Sequence, residues 1–449
     1  MKFLQEVFSI NSKVQAGELV IAGCKATSLA QEFGTPLFVL DEGDFRSRVL
    51  AWKSALERHF GSQSGQVYYA SKSFISVEVA KWIAELGIGI DVCTGGELAV
   101  ALAAKFPPEK IEVHGNNKSE LEISTAIAAG VGKIVIDSSQ EIERVNRLAK
   151  SAGVIQSVFL RLTPGVEAHT HEAIATAHED VKFGFSISSG AAWQAVLAVE
   201  EAANLKLVGL HCHIGSQIFT SEGFEVATTR LIEVLGKFRD HFKRELPELD
   251  MGGGYGIAYV GGEQTYDPDL AMASLAKVIH SQCTQHKIAV PIISIEPGRA
   301  IAGPSTTTLY EVGTTKNVLL DGGASRLYVA VDGGMSDNIR PGLYGAIYTA
   351  LLANRESKAA GVSARIVGKH CESGDIIIRE IDLPSDIGPG DLIAIPATGA
   401  YGRSMASNYN HMPRPAVVAV TNGTARRILR RETQADLLAL DVVEAPKTL

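Results

Sequence analysis

The stretch Val67-Tyr68-Tyr69-Ala70-Ser71-Lys72 decides the fold, because it joins a buried-looking apolar run to a lysine and is the first of eight runs built alike. The others are Ile88 to Cys93, Ile111 to His114, Lys133 to Asp137, Ser157 to Leu162, Val208 to Ile214, Leu249 to Gly253 and Ile292 to Glu296. At or just after their ends stand Lys72, Asp91, His114, Asp137, Arg161, His213, the glycines Gly252, Gly253 and Gly254, and Glu296. The first four runs recur every roughly 20 to 25 residues, the length of a strand, a turn and a helix. In a parallel barrel all strand ends open on one face, where such barrels build their active sites. The pattern predicts an α/β chain with a (β/α)8 TIM-type barrel over residues 41–304 and an enzyme's chemistry at its mouth.

The intervening segments read as helices. Ile75, Val79, Ile83 and Leu86 recur at helical spacing before Gly87, a helix stop. Ser119-Glu120-Leu121-Glu122 and Ser138-Ser139-Gln140-Glu141 both have the S-x-x-E form of a reciprocal helix cap. Beyond residue 304 helical periodicity fades. Strand-like runs appear at Leu327–Val331, Asp375–Ile378 and Ala416–Val420, and Asn422-Gly423 after the last is a hairpin signal, since both turn residues must tolerate positive φ. Residues 305–449 therefore read as a second, β-rich domain, a sandwich or barrel. Residues 1–40 are expected to contribute to it through a strand at Gly17-Glu18-Leu19-Val20-Ile21.

The chain of 449 residues is 46% hydrophobic and 20% charged, within the globular range, which excludes disorder, coiled coil and collagen as overall classes. A net charge of -8 without a basic run argues against nucleic acid and against a polybasic membrane anchor. No apolar stretch approaches the roughly 20 residues of a membrane helix. The opening Met1-Lys2-Phe3-Leu4-Gln5-Glu6 breaks too early for a signal peptide. Cysteines at 24, 93, 212, 283 and 371 are odd in number and form no C-x-x-C pair, which fits a reducing cytoplasm. The expected partner is a small molecule.

Each strand-end residue has a plain reading and a chemical one. Lys72 is either a solvated charge or a desolvated amine, and imine formation requires a pKa well below the unperturbed ~10.4. Met251-Gly252-Gly253-Gly254-Tyr255-Gly256 is either a tight turn or a cradle of bare N–H groups for an anion such as phosphate. His211-Cys212-His213-Ile214-Gly215-Ser216 is a metal pair, an aromatic platform beside a hydroxyl, or two ordinary histidines placed on one face by strand alternation. A metal would need further His or carboxylate ligands converging there, for which His114, His169 and His171 are candidates. Ile295-Glu296-Pro297-Gly298-Arg299 supplies a salt bridge, or a carboxylate that keeps a pyridine nitrogen protonated. Amine, phosphate cradle, ring platform and pyridinium partner together make the inventory of pyridoxal 5'-phosphate, with no metal required.

The chain resembles the barrel-type (fold III) pyridoxal-phosphate-dependent decarboxylases, and within them the diaminopimelate decarboxylases. The resemblance runs through Tyr69-Ala70-Ser71-Lys72, Asp91-Val92-Cys93-Thr94-Gly95-Gly96-Glu97-Leu98, His114-Gly115-Asn116-Asn117-Lys118, His211 to Ser216, Gly252 to Gly254 and Glu296 to Arg299. It continues through Arg340-Pro341-Gly342-Leu343-Tyr344, Cys371-Glu372-Ser373-Gly374-Asp375, Gly399-Ala400-Tyr401 and Ser407-Asn408-Tyr409-Asn410. It implies decarboxylation of meso-2,6-diaminopimelate to L-lysine, the last step of lysine biosynthesis. By the same resemblance Lys72 carries the cofactor's aldehyde carbon, His213 stacks on the ring and Glu296 contacts its nitrogen. Ser216 and the Gly252, Gly253 and Gly254 turn bind phosphate, Pro297, Gly298 and Arg299 complete the cofactor site, and Tyr401 lies near it. Cys371 is the implied proton donor, with substrate contacts from Arg299, Arg340, Tyr344, Glu372 and Tyr401. The family implies a homodimer whose Cys-Glu-Ser segment crosses into the partner's site.

Cys371 has its own plain reading as a small buried hydrophobe. Its polar, turn-like neighbours argue otherwise, and a thiol of unperturbed pKa ~8.5 is protonated at neutral pH, as a donor must be. Substrate choice also has a physical basis. Diaminopimelate ends in both an ammonium and a carboxylate, so Arg340 and Tyr344 suit the carboxylate while Glu372 takes the ammonium. A relative acting on D-ornithine, D-lysine or arginine, a barrel metal hydrolase, a cofactor-free aldolase and a non-catalytic homologue are the rival readings.

Overall fold

The computed structural model describes residues 3–165 and 182–443. They fall into two compact units, one of residues 46–257 and 264–301, the other of residues 1–45, 258–263 and 302–449.

The first unit is a closed parallel barrel. Its strands are β1 (Gly65–Ala70), β2 (Gly89–Val92), β3 (Ile111–Val113), β4 (Lys133–Ile136), β5 (Gln156–Thr163), β6 (Leu205–His211), β7 (Glu248–Asp250) and β8 (Ile292–Ile295). Hydrogen bonding runs β5-β6-β7-β8-β1-β2-β3-β4, and β4 pairs with β5 at Ile134↔Val158, which closes the ring. All eight predicted runs are strands of this ring. Helices follow them in turn, among them Val77–Glu85, Gly95–Ala103, Glu120–Ala129 and Pro268–His286. Ser76, Thr94, Ser119 and Asp267 cap these helices through side-chain oxygens, satisfying backbone N–H groups that the first turn leaves open.

The two S-x-x-E segments part company. Ser119 and Glu122 form the expected reciprocal box. Ser138 makes no side-chain cap, because Glu141 Oε1 pairs instead with the buried Lys118 ammonium at 2.9 Å while its Oε2 accepts the Asp137 N–H at 2.8 Å. A buried ammonium holds a carboxylate more strongly than a helix-end N–H does, so the cap is given up.

The second unit is built on a mixed sheet in the order Ile376–Pro384, Gly361–Val367, Ser325–Val331, Thr306–Leu319, Leu37–Asp41, Ala416–Thr421, Thr424–Leu429. Thr306–Leu319 pairs with Leu37–Asp41 and Leu392–Ile395 along its first part and with Ser325–Val331 along its second, with an irregularity between Val312 and Thr314. Asn422 and Gly423 have φ of 48° and 77°, the left-handed pair that a two-residue hairpin turn demands. Glu18–Ile21 is a strand of this unit, yet it pairs with Ser12–Gln15 and Cys24–Lys25 in a small sheet of its own. Leu19, Ile21, Leu37, Val39, Leu309, Ala394 and Val418 are among the buried side chains of the core. No helix among the described residues is long and apolar enough to cross a membrane.

Candidate active site

The C-terminal mouth of the barrel collects polar side chains out of water. Asp91, His114, His211, Asp250 and Glu296 are each at most 5% exposed. β6 ends at His211, so alternation no longer governs the two residues after it, and the two histidines take separate partners. His211 Nε2 lies 3.1 Å from Glu296 Oε1, and His114 Nε2 lies 3.3 Å from the same oxygen. The Nδ1 of His213 instead accepts the Gly253 N–H at 3.2 Å. That acceptance needs a bare nitrogen. Burial, reinforced by the Lys72 charge, holds the His213 pKa well below its ordinary value, so the ring is neutral. Burial likewise keeps His211 and His114 neutral, against the pull of nearby carboxylates.

Lys72 stands two residues beyond β1, and its charge is felt by Asp91, Cys93, His211 and His213. Burial and the neighbouring Glu296 push the Asp91 carboxyl well up despite the Lys72 charge, and burial pushes the Cys93 thiol up to about 12. Asp250, at the end of β7, accepts the Gly252 N–H at 2.7 Å. Its carboxyl too is raised, first by burial and then by Glu296 and Glu112. The sequence pattern marks the glycine turn but not the carboxylate that fastens it. The signal was present, since Asp250 is itself a strand-end residue.

The glycines are required by contact. A Cβ on Gly252 would lie 2.4 Å from the Cys212 carbonyl oxygen, one on Gly253 2.2 Å from that of Glu296, and one on Gly254 2.4 Å from that of Gly215. One on Gly298 would meet the Ala70 Cβ at 2.7 Å, so the Glu296-Pro297-Gly298-Arg299 turn lies directly against the end of β1. The guanidinium of Arg299 reaches Ser216, with Nε and Nη2 3.2 and 2.9 Å from its hydroxyl oxygen. Lysine amine, neutral imidazole, held carboxylate and a side-chain-free turn beside a hydroxyl and a guanidinium thus share one mouth. This set fits pyridoxal phosphate: an amine for the aldehyde, a flat neutral ring, an acceptor for a pyridine N–H, and a side-chain-free turn beside a hydroxyl and a cation for phosphate, although two of the turn's N–H groups, those of Gly252 and Gly253, are taken by Asp250 and His213. His114, His211 and Glu296 also place ligand atoms within 4.8 Å of one another, as do Glu112, Asp250 and Glu296, and His213 of the predicted metal pair is in neither grouping among the described residues. His169 and His171 lie outside them.

The remaining predicted residues belong to the other unit. Arg340, 5% exposed, donates to the Tyr348 hydroxyl and lies over the rings of Tyr259 and Tyr348, with its guanidinium carbon 4.6 and 5.6 Å from their centroids. Tyr401 adds a favourable electrostatic contact to it. Tyr344, half-buried, ends the short helix Arg340–Tyr344, and Cys371 and Glu372 lie exposed in a turn. The segment before Arg340 is polar and buried. Ser336 contacts His370, and Asp337 contacts Tyr310.

Comparison with known proteins agrees with this geometry. Residues 42–303 match the family described as pyridoxal-dependent decarboxylase, pyridoxal binding domain. The chain is 55% identical over 432 residues to diaminopimelate decarboxylase of Mycobacterium tuberculosis strain H37Rv, covering 95% of this chain and 96% of that one. It is 44% identical to the Bacillus subtilis strain 168 enzyme of the same name, with 95% and 96% covered. A solved structure of diaminopimelate decarboxylase from M. jannaschii with L-lysine superposes with a TM-score of 0.89 at 31% identity, over 98% of this chain and 99% of that one. With sequence, fold and mouth in agreement, the chain belongs to the diaminopimelate decarboxylase family of fold III pyridoxal-phosphate-dependent decarboxylases.

Proposed function

We propose that the barrel mouth removes one carboxyl group from meso-2,6-diaminopimelate as carbon dioxide and releases L-lysine, the last step of lysine biosynthesis, with Lys72 as the cofactor's attachment point. Bound pyridoxal phosphate supplies an aldehyde that takes up an amine and a ring that accepts the electron pair left by departing carbon dioxide. The observation that carries the assignment is the shared mouth of Lys72, neutral His213, Glu296 and the Gly252–Gly254 turn, in a chain 55% identical to a diaminopimelate decarboxylase.

The chain's own groups then have defined work. Glu296, held through Oε1 by His211, keeps a carboxylate at a ring nitrogen. His213 offers an uncharged face that does not repel a protonated ring. Ser216, Arg299 and the side-chain-free Gly252–Gly254 turn take phosphate, and Pro297 and Gly298 let Glu296 and Arg299 approach β1. Arg340, Tyr344, Glu372 and Tyr401 read the distal ammonium and carboxylate of the substrate. Cys371 gives its Sγ proton to the substrate Cα: the S–H bond breaks, a C–H bond forms, and the thiolate regains a proton from solvent.

We further infer a cytoplasmic homodimer in which the Cys371–Glu372 turn serves the neighbouring subunit. What supports this is the exposure of both residues in the single chain, together with the exposed Leu343 and Ile347 of the same unit. Mixing inactive K72A and C371A variants tests it. A shared site restores activity in mixed dimers, to about a quarter of wild type for random pairing, and no restoration rejects it.

The assignment itself is tested by the absorbance spectrum before and after borohydride, followed by peptide mapping. The label is expected on Lys72, and protein that stays colourless when supplied with the cofactor overturns the reading. Equal or better turnover of D-ornithine, D-lysine or arginine would overturn the substrate.

A further inference from the structure

We propose that Asn410 and His370 are positioning residues for Cys371, with the Asn410 carbonyl holding the cysteine's own N–H. This rests on the reading of Cys371 as the proton donor and goes beyond it.

Cys371, Glu372, Ser373 and Gly374 are all exposed in the chain, so packing does not fix them. Hydrogen bonds do. Asp375, 3% exposed, closes the base of the turn: its Oδ2 accepts the His370 N–H at 2.9 Å, its Oδ1 accepts the Met335 N–H at 2.7 Å, and its own N–H donates to the Glu372 carbonyl at 3.1 Å. The Cys371 N–H donates to Asn410 Oδ1 at 3.2 Å. A backbone N–H can only donate, so the atom it meets is the amide oxygen.

The same oxygen lies 3.2 Å from His370 Nδ1. The far side of that ring settles the proton. His370 Nε2 lies 3.4 Å from the Ser336 N–H nitrogen, an obligate donor, and 2.8 Å from the Ser336 hydroxyl. Nε2 is therefore the bare nitrogen and Nδ1 carries the hydrogen, which points at Asn410 Oδ1. Ser336, His370 and Asn410 form one relay that ends on the backbone of Cys371, with the single lone pair of Nε2 shared between the Ser336 N–H and hydroxyl. Tyr409 covers the imidazole, with ring centroids 5.3 Å apart.

Asn410 reaches this position from an unusual backbone, with φ 51° and ψ 29°. Asparagine is among the few non-glycine residues that adopt the left-handed region readily. The loop bearing it is tied down by Asn408, whose Nδ2 donates to Glu432 Oε2 at 2.7 Å and to the Met412 carbonyl at 3.0 Å. Proton delivery to one carbon depends on where the thiol stands, and a small displacement of a reacting group costs large factors in rate. An exposed turn needs such a clamp to hold its thiol in place.

The test contrasts Asn410→Gly, which keeps the left-handed backbone and removes the carbonyl, with Asn410→Asp, which keeps an acceptor for both donors. Steady-state kinetics on meso-2,6-diaminopimelate and hydrogen exchange of the Cys371 amide are read in the cofactor-loaded enzyme. For N410G we expect kcat to fall by about ten-fold or more with KM changed by less than about two-fold, and faster amide exchange. N410D should restore most of kcat and the protection. Wild-type kcat and exchange in N410G, alongside an inactive C371A, overturns the clamp and leaves the proton donor standing. Should N410G fail to load cofactor, N410D carries the test: slow turnover with KM unchanged and protection lost overturns the acceptor role, whereas near-wild-type values uphold it. Full activity in C371A removes the donor and the clamp together.

Discussion

His211 Nε2 sits 3.1 Å from Glu296 Oε1, and both side chains are almost wholly buried, at 0% and 3% exposure. A neutral imidazole is a donor that does not cancel the carboxylate's charge, so it orients Glu296 and leaves it available to a pyridine nitrogen. H211F removes that donor inside the barrel. A stability loss of about 2 kcal/mol is expected for a lost hydrogen bond to a buried charge, with weaker retention of cofactor. H211N, which keeps an N–H, should lose less of both. Urea denaturation and absorbance titration with cofactor check this, and equal behaviour of the two variants would reject the orienting role.

Gly253 is confined by contact, since a Cβ there falls 2.2 Å from the Glu296 carbonyl oxygen while the φ is not left-handed. G253A is therefore a steric test. It should cost about 1–3 kcal/mol of stability through the forced backbone shift. Because the Gly253 N–H also anchors His213, cofactor affinity should fall by more than that of a surface glycine variant such as G130A. Unchanged affinity would show that the cradle tolerates a methyl group.

Burial pushes the Asp337 carboxyl up to about 7, although the Tyr310 hydroxyl and the Gly334 N–H both contact it. Between its ordinary 3.8 and about 7 the folded protein holds a proton that the unfolded chain has released. Stability from this group therefore falls as pH rises through that window, by about 1.4 kcal/mol per unit. D337N cannot ionise and still offers one acceptor and one donor. The variant should gain on wild type steadily from about pH 5 to about pH 7 in denaturation experiments. A difference independent of pH would place the titration elsewhere.

Glu122 and Glu141 occupy the same position of the same motif and should answer differently to alanine. E122A removes a helix cap on the surface and should cost about 1 kcal/mol. E141A strands the Lys118 ammonium, 2% exposed, leaving it the Gly115 and Val135 carbonyls as hydrogen-bond acceptors among the described residues, and should cost about 3–5 kcal/mol. Denaturation midpoints with a shared slope measure both. Equal losses would contradict the assignment of Glu141 to the buried pair.

Those two glutamates also mark how far local pattern carries. The cap at Ser119 is legible because its partners lie three residues apart. The loss of the cap at Ser138 is not, because Lys118 is far away in sequence. The candidate site divides the same way. Lys72, His213, the three glycines and Glu296 stand at strand ends, so the strand rhythm points to them directly. Asp250 shares that position but was masked by the glycines beside it. His370 adjoins the Cys-Glu-Ser segment, yet its role depends on Ser336 and Asn410, which lie far from it along the chain.

Read as a string, the chain was enough to establish a ring of eight parallel strands and the kind of chemistry at its rim. Each strand and helix buries an apolar face of its own with a period that neighbours in sequence display, and the reactive side chains follow at constant offset. Folding alone decided that Leu37–Asp41 lies between Thr306–Leu319 and Ala416–Thr421, that His211 and His213 serve different partners, and that three imidazoles at the mouth are neutral. Those outcomes depend on groups distant along the chain meeting within a few ångströms, and on how much water is excluded where they meet, neither of which a local pattern contains.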